Sequence, residues 1–429
     1  MPQKITDYIK NHIVYFDGAM GTMVQKHGLK AGENPELFSL THPDVIAQIH
    51  QSYLKAGANI LTANTFGANS HKLASSGHSP AEIITASIGI AKSVAQNNAY
   101  VALDIGPIGE LLEPMGTLSF DDAYDIFREE VIAGEKAGAD LILIETMADL
   151  YEIKAAVLAA KENTDLPVFV TLTVEETGRT YTGCDPEAFT VLAEGLGVDA
   201  IGLNCSLGPV QMLPHLKRLL SLTSLPVIFQ PNAGLPKVVD GNTTYDITPE
   251  QFGICQNEAV SAGACIVGGC CGTNPDYIAQ VVSNTESLSP IFNSKTKADK
   301  LCTPTKAISL TADTVIANNE TPNADLQTSF ADYDTSELIN IALDAVDEGA
   351  EVINLNTAVT GTDETKMMKI AVKELQEICR IPFQITTKNP DTLEAALRYF
   401  NGIAIANIPD VTDLKKIAKH YGAVIVTTV

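Results

Sequence analysis

The chain has 429 residues, 45% of them apolar, with 52 acidic against 28 basic side chains and a formal charge of −24. That length and apolar content describe a globular protein of more than one domain, and the charge excludes an electrostatic footprint for nucleic acid or an anionic membrane, whose phosphates it would repel. No run approaches the roughly 18 apolar residues of a membrane span, the stretch Met1 to Asp7 lacks the pattern of a signal peptide, and eight cysteines without framework spacing suit a reducing compartment, so a cytoplasmic location is expected.

Up to about residue 285 one unit recurs: a helix-patterned segment, a short apolar run, then polar or glycine-rich residues. The apolar runs fall at 13–16, 59–63, 100–103, 140–144, 168–174, 200–203, 227–229 and 264–267. Continuous apolar runs alternating with helical patterns such as 43–55, 120–136, 150–161 and 186–194 are how a parallel sheet buried on both faces reads. Eight such units predict an α/β fold of the closed (β/α)8 TIM-barrel type. A doubly wound sheet competes, but the first run is followed by Asp17-Gly18-Ala19-Met20-Gly21-Thr22, which is not a GxGxxG phosphate loop.

From about 282 to 314 the composition turns to Ser, Thr, Asn and Lys, which predicts a linker at 289–318 between a barrel at 1–288 and a smaller region at 319–429. In that last region helices at 335–348, 363–379, 391–400 and 413–420 alternate with strands at 352–355, 383–386, 403–406 and 423–426. Four or five βα units make an incomplete second βα-barrel-like region.

A barrel carries its chemistry at the C-terminal ends of its strands. Asp17, Asn64-Thr65-Phe66, Asp104, Glu145, Asn204-Cys205, Asn232 and Cys270-Cys271 all follow predicted strands. Cys205, Cys270 and Cys271 together offer three of the four soft ligands that zinc prefers, leaving one position open, and the glycines around the Cys-Cys pair let the backbone turn both sulfurs inward. Two other readings stand beside this one: a closed site with Cys184 or Cys265 as fourth ligand, and three inert buried thiols. A substrate thiol at an open position would be deprotonated outright, whereas a free thiol of pKa near 8.5 is only a few per cent thiolate at neutral pH. Asp17 and Glu145 suit an ammonium group, although a turn or cap role is open to each, and the backbone amides from Gly18 to Thr22 suit a carboxylate. Thiol, ammonium and carboxylate describe a thiol amino acid.

The segments Asp17 to Thr22, Thr62 to Asn69, Gly106-Pro107 with Glu113 to Gly116, Ile144-Glu145-Thr146, Gly202 to Cys205 and Gly268 to Thr273 resemble, in that order, the homocysteine S-methyltransferase family, above all the homocysteine-binding domain of the cobalamin-dependent methionine synthases. The resemblance covers residues 10–285. It implies that Cys205, Cys270 and Cys271 ligate zinc, that Asp17 and Glu145 hold the homocysteine ammonium, and that Gly18, Ala19, Met20, Gly21 and Thr22 seat its carboxylate. Asn64, Thr65 and Phe66 would line the pocket, with Asn204 and Asn232 supporting it. The stretches Glu348 to Asn356, Asp363-Glu364 with Met367-Met368, and Ala396 to Tyr399 resemble the start of the folate-binding domain of the same proteins. The resemblance departs where that family has carboxylates, at Asn354 and at Thr386-Thr387-Lys388, and Ile408 stands where a serine follows Asn407, so folate binding by this chain alone is not expected.

The expected reaction is methyl transfer to homocysteine giving methionine, from methylcobalamin on a separate corrinoid protein. The alternatives are direct transfer from S-methylmethionine or a betaine-like donor, and a non-catalytic zinc- or thiol-binding subunit. The incomplete second barrel is expected either to reflect truncation or to pair, in a homodimer or with a complementing subunit.

Overall fold

The computed structural model describes residues 3–30, 32–235, 237–239, 242–292, 299–317 and 322–427. The chain divides into two compact units, Met1–Thr182 with Val198–Lys295, and Gly183–Gly197 with Thr296–Val429.

In the first unit eight parallel strands follow the predicted runs: β1 Val14–Tyr15, β2 Ile60–Thr62, β3 Tyr100–Ile105, β4 Leu141–Met147, β5 Val168–Leu172, β6 Ala200–Asn204, β7 Val227–Gln230 and β8 Ile266–Val267. Each pairs with its sequence neighbour from β2 to β8, and β8 pairs with β1. A parallel bridge between Phe16 and Ile60 joins β1 to β2 and closes the sheet into a barrel. The strands read as unbroken apolar runs because they are buried on both faces; Val168 to Leu172 and Ala200 to Asn204, for example, are buried throughout. Between β7 and β8 the chain also forms a short antiparallel pair, Lys237–Val239 with Asn242–Thr244.

The helices start where capping residues place them. Ser79, Ser119 and Asp149 accept backbone N–H groups at the starts of Pro80–Ala95, Phe120–Ala137 and Leu150–Asn163, and Thr248 with Gln251 forms a capping box on Pro249–Ala262. Amphipathic faces such as Ile46, Ile49 and Tyr53 of Pro43–Ala56 are buried.

The second unit holds an open, all-parallel five-stranded sheet in sequence order: β11 Ile316–Ala317, β12 Val352–Leu355, β13 Phe383–Thr386, β14 Ile405–Ile408 and β15 Val424–Thr427. It includes the four strands expected in the last region. The segment predicted as a linker is corrected in part, because β9 Lys300–Thr303 and β10 Lys306–Ser309 form an antiparallel hairpin within it; positions 293–298 and 318 lie outside the described residues. Leu301 of β9 is fully buried against Val352 and Ile405, the first residues of β12 and β14, with Ile308, Leu310, Ile316 and Val424 around them. Cys302 and Ile403 exchange backbone hydrogen bonds of 3.2 and 3.1 Å. The hairpin thus packs against the N-terminal ends of these strands. Helix Pro186–Gly195, which connects β5 to β6 in sequence, belongs to this unit, where Glu187 pairs with Lys300 at 2.7 Å.

A cysteine cluster beside buried carboxylates

β6 ends in Asn204 and the chain turns sharply, with Cys205 and Ser206 both at φ 59°. Such left-handed conformations in non-glycine residues cost about 1–3 kcal/mol each and persist only where surroundings hold them. Here the Cys205 N–H donates to Gln230 O at 3.1 Å, and Leu207 N–H donates to Cys205 O at 2.7 Å. After β8, Gly269 N–H donates to Asp17 O at 3.2 Å and Cys270 N–H to Pro231 O at 2.9 Å, while Ala233 N–H donates to Cys271 O at 2.9 Å. Backbone from β1, β7 and β8 therefore fixes the Cys-Cys turn.

The sulfurs of Cys205, Cys270 and Cys271 lie within 4.8 Å of one another, with Cys205 and Cys271 3.9 Å apart. Three thiolates bound about 2.3 Å from a tetrahedral zinc ion would stand about 3.8 Å apart, so the donor set fits that metal. Asn232 adds a buried side-chain oxygen without a partner in the structure. Among the described residues this is the one group of three or more such ligands, and it includes neither Cys184 nor Cys265. Cys265 precedes β8 at the opposite end of the barrel, where its N–H donates to Val227 O and burial pushes its thiol up to about 12. Hydrogen bonds from Cys270 and Cys271 lower the Cys205 thiol, and the contacts with Cys205 raise the other two.

The carboxylates come from β1 and β4. In the β4–β5 ladder Ile144 faces Val170 and Met147 faces Leu172, so Glu145 and Thr146 oppose Thr171 alone. This bulge, with Thr146 at φ 61°, takes Glu145 out of the ladder. Thr146 N–H instead donates to Asn204 Oδ1 at 2.9 Å, which also accepts from Thr171 Oγ1 at 2.8 Å. Asn204 Nδ2 donates to Thr146 Oγ1 at 2.8 Å and to Glu145 Oε2 at 3.2 Å, and stands 3.9 Å from Cys270 Sγ. Asn204 is fully buried. One amide thus ties the acid to the cysteine cluster. Burial, then the Cys205 and Asp17 charges, raises the Glu145 carboxyl to about 8. Asp17 is buried, accepts from Thr62 N at 2.9 Å and Thr62 Oγ1 at 2.7 Å, and is raised by burial to about 7. A bound cation would pull both back toward ionisation.

Ala19 N–H donates to Thr273 Oγ1 at 3.2 Å, and helix Met20–Lys26 begins without a capping side chain. Its first N–H groups, on Met20, Gly21 and Thr22, have no intrahelical acceptor, which suits an anion.

Other predicted pocket residues spend their polar groups elsewhere. Asn64 Nδ2 donates to Pro35 O at 2.8 Å and Ser39 Oγ at 3.1 Å, and Thr65 Oγ1 donates to Asp104 O at 2.8 Å. Phe66 lies against Gly106, where an added Cβ would come within 2.5 Å of the ring, and Lys72 Nζ sits 5.1 Å from its centroid. Sequence reasoning gave no role to Thr62, Thr146 and Thr171, which hold the named residues in place. It also named Asp104 without a role: the carboxyl is buried, its Oδ1 lacks a partner, and burial followed by the Glu145 and Asp17 charges pushes it well above the ordinary range. Its signal was an acidic residue inside an apolar strand.

A profile of the family described as Homocysteine S-methyltransferase matches residues 14–285, which contain every element of this site. The chain belongs to the homocysteine S-methyltransferase family. Methionine synthase of Mycobacterium tuberculosis (strain ATCC 25618 / H37Rv) is 29% identical over 461 residues, covering 99% of this chain and 39% of that protein. Methionine synthase of Mycobacterium leprae (strain TN) is 28% identical, with the same coverage of 99% and 39%. The chain therefore spans about two-fifths of the length of these relatives. Solved structures of the homocysteine methyltransferase MmuM from Escherichia coli share the fold: the oxidized form aligns with a TM-score of 0.55 at 24% identity over 64% of this chain and 96% of that one. The metallated form aligns with a TM-score of 0.55 at 22% identity over 66% and 99%. No helix among the described residues is long and apolar enough to cross a membrane.

Proposed function

We propose that the first unit binds homocysteine and transfers a methyl group to its sulfur, giving methionine, with zinc held by Cys205, Cys270 and Cys271. The observation that carries this reading is the junction at Asn204, which links the thiol cluster to the half-buried Glu145 carboxylate. Zinc bound there supplies the charge that keeps a substrate thiol deprotonated at neutral pH. The protein's own groups do the rest. Asp17 and Glu145 hold the ammonium group and the amides of Met20, Gly21 and Thr22 face the carboxylate, with Gly18 and Ala19 shaping the approach. The half-buried ring of Phe66 and the backbone fixed by Asn64 and Thr65 wall the pocket. Asn204 orients Glu145, so substrate sulfur and substrate nitrogen are positioned by one rigid unit.

The donor proposed is methylcobalamin on a separate corrinoid protein. Support comes from the methionine synthase relatives, whose match runs through 99% of this chain. The second unit is proposed not to bind folate by itself: Asn354 Oδ1 already accepts from Gln384 Nε2 at 2.9 Å and Thr386 Oγ1 at 2.6 Å, and Asn407 Nδ2 donates to Thr386 Oγ1 at 2.9 Å, a network without a carboxylate.

The test is turnover of zinc-loaded protein with homocysteine and methylcobalamin. Methionine formation supports the reading. Methionine from S-methylmethionine without corrinoid would overturn the donor, and thiol binding with no transfer from either donor would overturn the catalysis.

A further inference from the structure

The loop proposed to seat the substrate carboxylate and the turn that carries Cys270 and Cys271 are joined by hydrogen bonds to which the mechanism above gives no part. Gly269 N–H donates to Asp17 O at 3.2 Å, Ala19 N–H donates to Thr273 Oγ1 at 3.2 Å, and Gly272 N–H donates to Thr22 Oγ1 at 3.4 Å. Thr273 Oγ1 in turn donates to Cys270 O at 2.7 Å. One hydroxyl therefore accepts from the loop and donates to a residue of the cysteine cluster, using both of its hydrogen-bonding roles.

The fit around this hydroxyl is close. A Cβ added at Gly18 would fall 2.6 Å from Thr273 Oγ1 and 2.9 Å from Tyr53 Oη, and one added at Gly269 would fall 2.5 Å from Thr273 Oγ1, so both segments reach it because they carry no side chain there. Tyr53 of helix Pro43–Ala56, buried like Thr273, donates its hydroxyl to Ala19 O at 3.0 Å and stands 3.4 Å from Thr273 O. Both backbone groups of Ala19 are thus held, the N–H by Thr273 and the carbonyl by Tyr53. Ala19 immediately precedes helix Met20–Lys26, so its orientation sets where the free N–H groups of the first turn point.

We propose that Thr273 is a positioning residue that fixes the carboxylate seat relative to the cysteine cluster, with Tyr53 as its brace, so that substrate carboxylate and substrate sulfur are held at one set separation. The inference rests on the function proposed above. The hydroxyl acts through Ala19 and the first helical turn, without touching substrate. A thiol amino acid held at both ends gains affinity from a seat already in place, because the loop need not be ordered on binding.

The experiment measures, by calorimetry on zinc-loaded protein, the affinity for homocysteine and for 3-aminopropane-1-thiol, which keeps the thiol and the amine and lacks the carboxylate. Thr273→Val keeps the shape of the side chain and removes the hydroxyl. It should weaken homocysteine about three- to tenfold, the range of a single lost hydrogen bond, and leave the carboxylate-free thiol within about twofold. Thr273→Ser, which returns the hydroxyl, should restore the wild-type preference. Tyr53→Phe should shift homocysteine in the same direction as Thr273→Val, and decides the matter if that variant does not retain zinc. Equal weakening of both thiols, no change in either, or a Thr273→Ser variant that behaves as Thr273→Val would overturn the inference and leave the proposed function standing. Wild-type protein that binds neither thiol would overturn both.

Discussion

Asn204 Nδ2 lies 3.2 Å from Glu145 Oε2, so the residue that immediately precedes the first cysteine of the cluster also holds the acid of the neighbouring bulge. Its oxygen is occupied by Thr146 N–H and Thr171 Oγ1. Replacing Asn204 with Leu keeps the volume and strands both donors. Leaving buried donors unpaired costs about 1–3 kcal/mol each, so Asn204→Leu should lower stability by roughly 2–6 kcal/mol and raise KM for homocysteine at least about tenfold. Urea denaturation and steady-state kinetics on the same preparation check both parts.

Asp17 is held near pKa 7 by burial, against 3.8 for the free group. With the folded value raised, the contribution is stabilising at low pH and is lost as pH rises through about 7. Asp17→Asn, which keeps an oxygen for Thr62 N–H and an amide for Thr62 Oγ1, should remove that dependence and melt higher than wild type at pH 8. It should also lose homocysteine binding. In the wild type, affinity should fall as pH drops below 7 and the carboxylate is neutralised. Thermal melts and calorimetric titration between pH 5 and 8 read both effects, and a variant that binds homocysteine normally would contradict the role given to Asp17.

Cys265 is buried at the far end of its strand, and the buried Cys184 Sγ lies 3.7 Å from Asp185 O. Cys265→Ala and Cys184→Ala should therefore retain full zinc content, whereas Cys270→Ser should lose it. Metal analysis after gel filtration gives the answer, and loss of zinc from either alanine variant would favour a closed four-cysteine site.

Leu301 is fully buried where the hairpin meets Val352 and Ile405. Truncating such a leucine costs about 2–5 kcal/mol through lost burial and the cavity left behind. Leu301→Ala should open residues 324–427 to protease while leaving zinc binding intact. Equal protease resistance would show that the hairpin is only a connector.

The eight barrel strands were legible because parallel strands buried on both faces must be apolar throughout, and polar residues at their ends then had to mark the site. What escaped was whatever depends on a partner far away in sequence. Thr65 and Asn64 read as pocket groups, but nothing in the sequence shows that their side chains bond the Asp104 and Pro35 carbonyls and the Ser39 hydroxyl. The hairpin at Lys300–Thr303 and Lys306–Ser309 was hidden in polar composition, since only Leu301 and Cys302 of its first strand are deeply buried apolar residues. Tyr245 carried no sequence signal, because its ring packs against Gly272, a residue distant in the chain.

The central claim is that Cys205, Cys270 and Cys271 hold a metal with a position open to the substrate sulfur. X-ray absorption at the zinc edge, recorded on purified protein before and after adding homocysteine, tests it most directly. The account predicts three sulfur neighbours and one lighter atom, becoming four sulfurs with homocysteine bound. Four sulfurs before substrate, or a spectrum that homocysteine leaves unchanged, would contradict it.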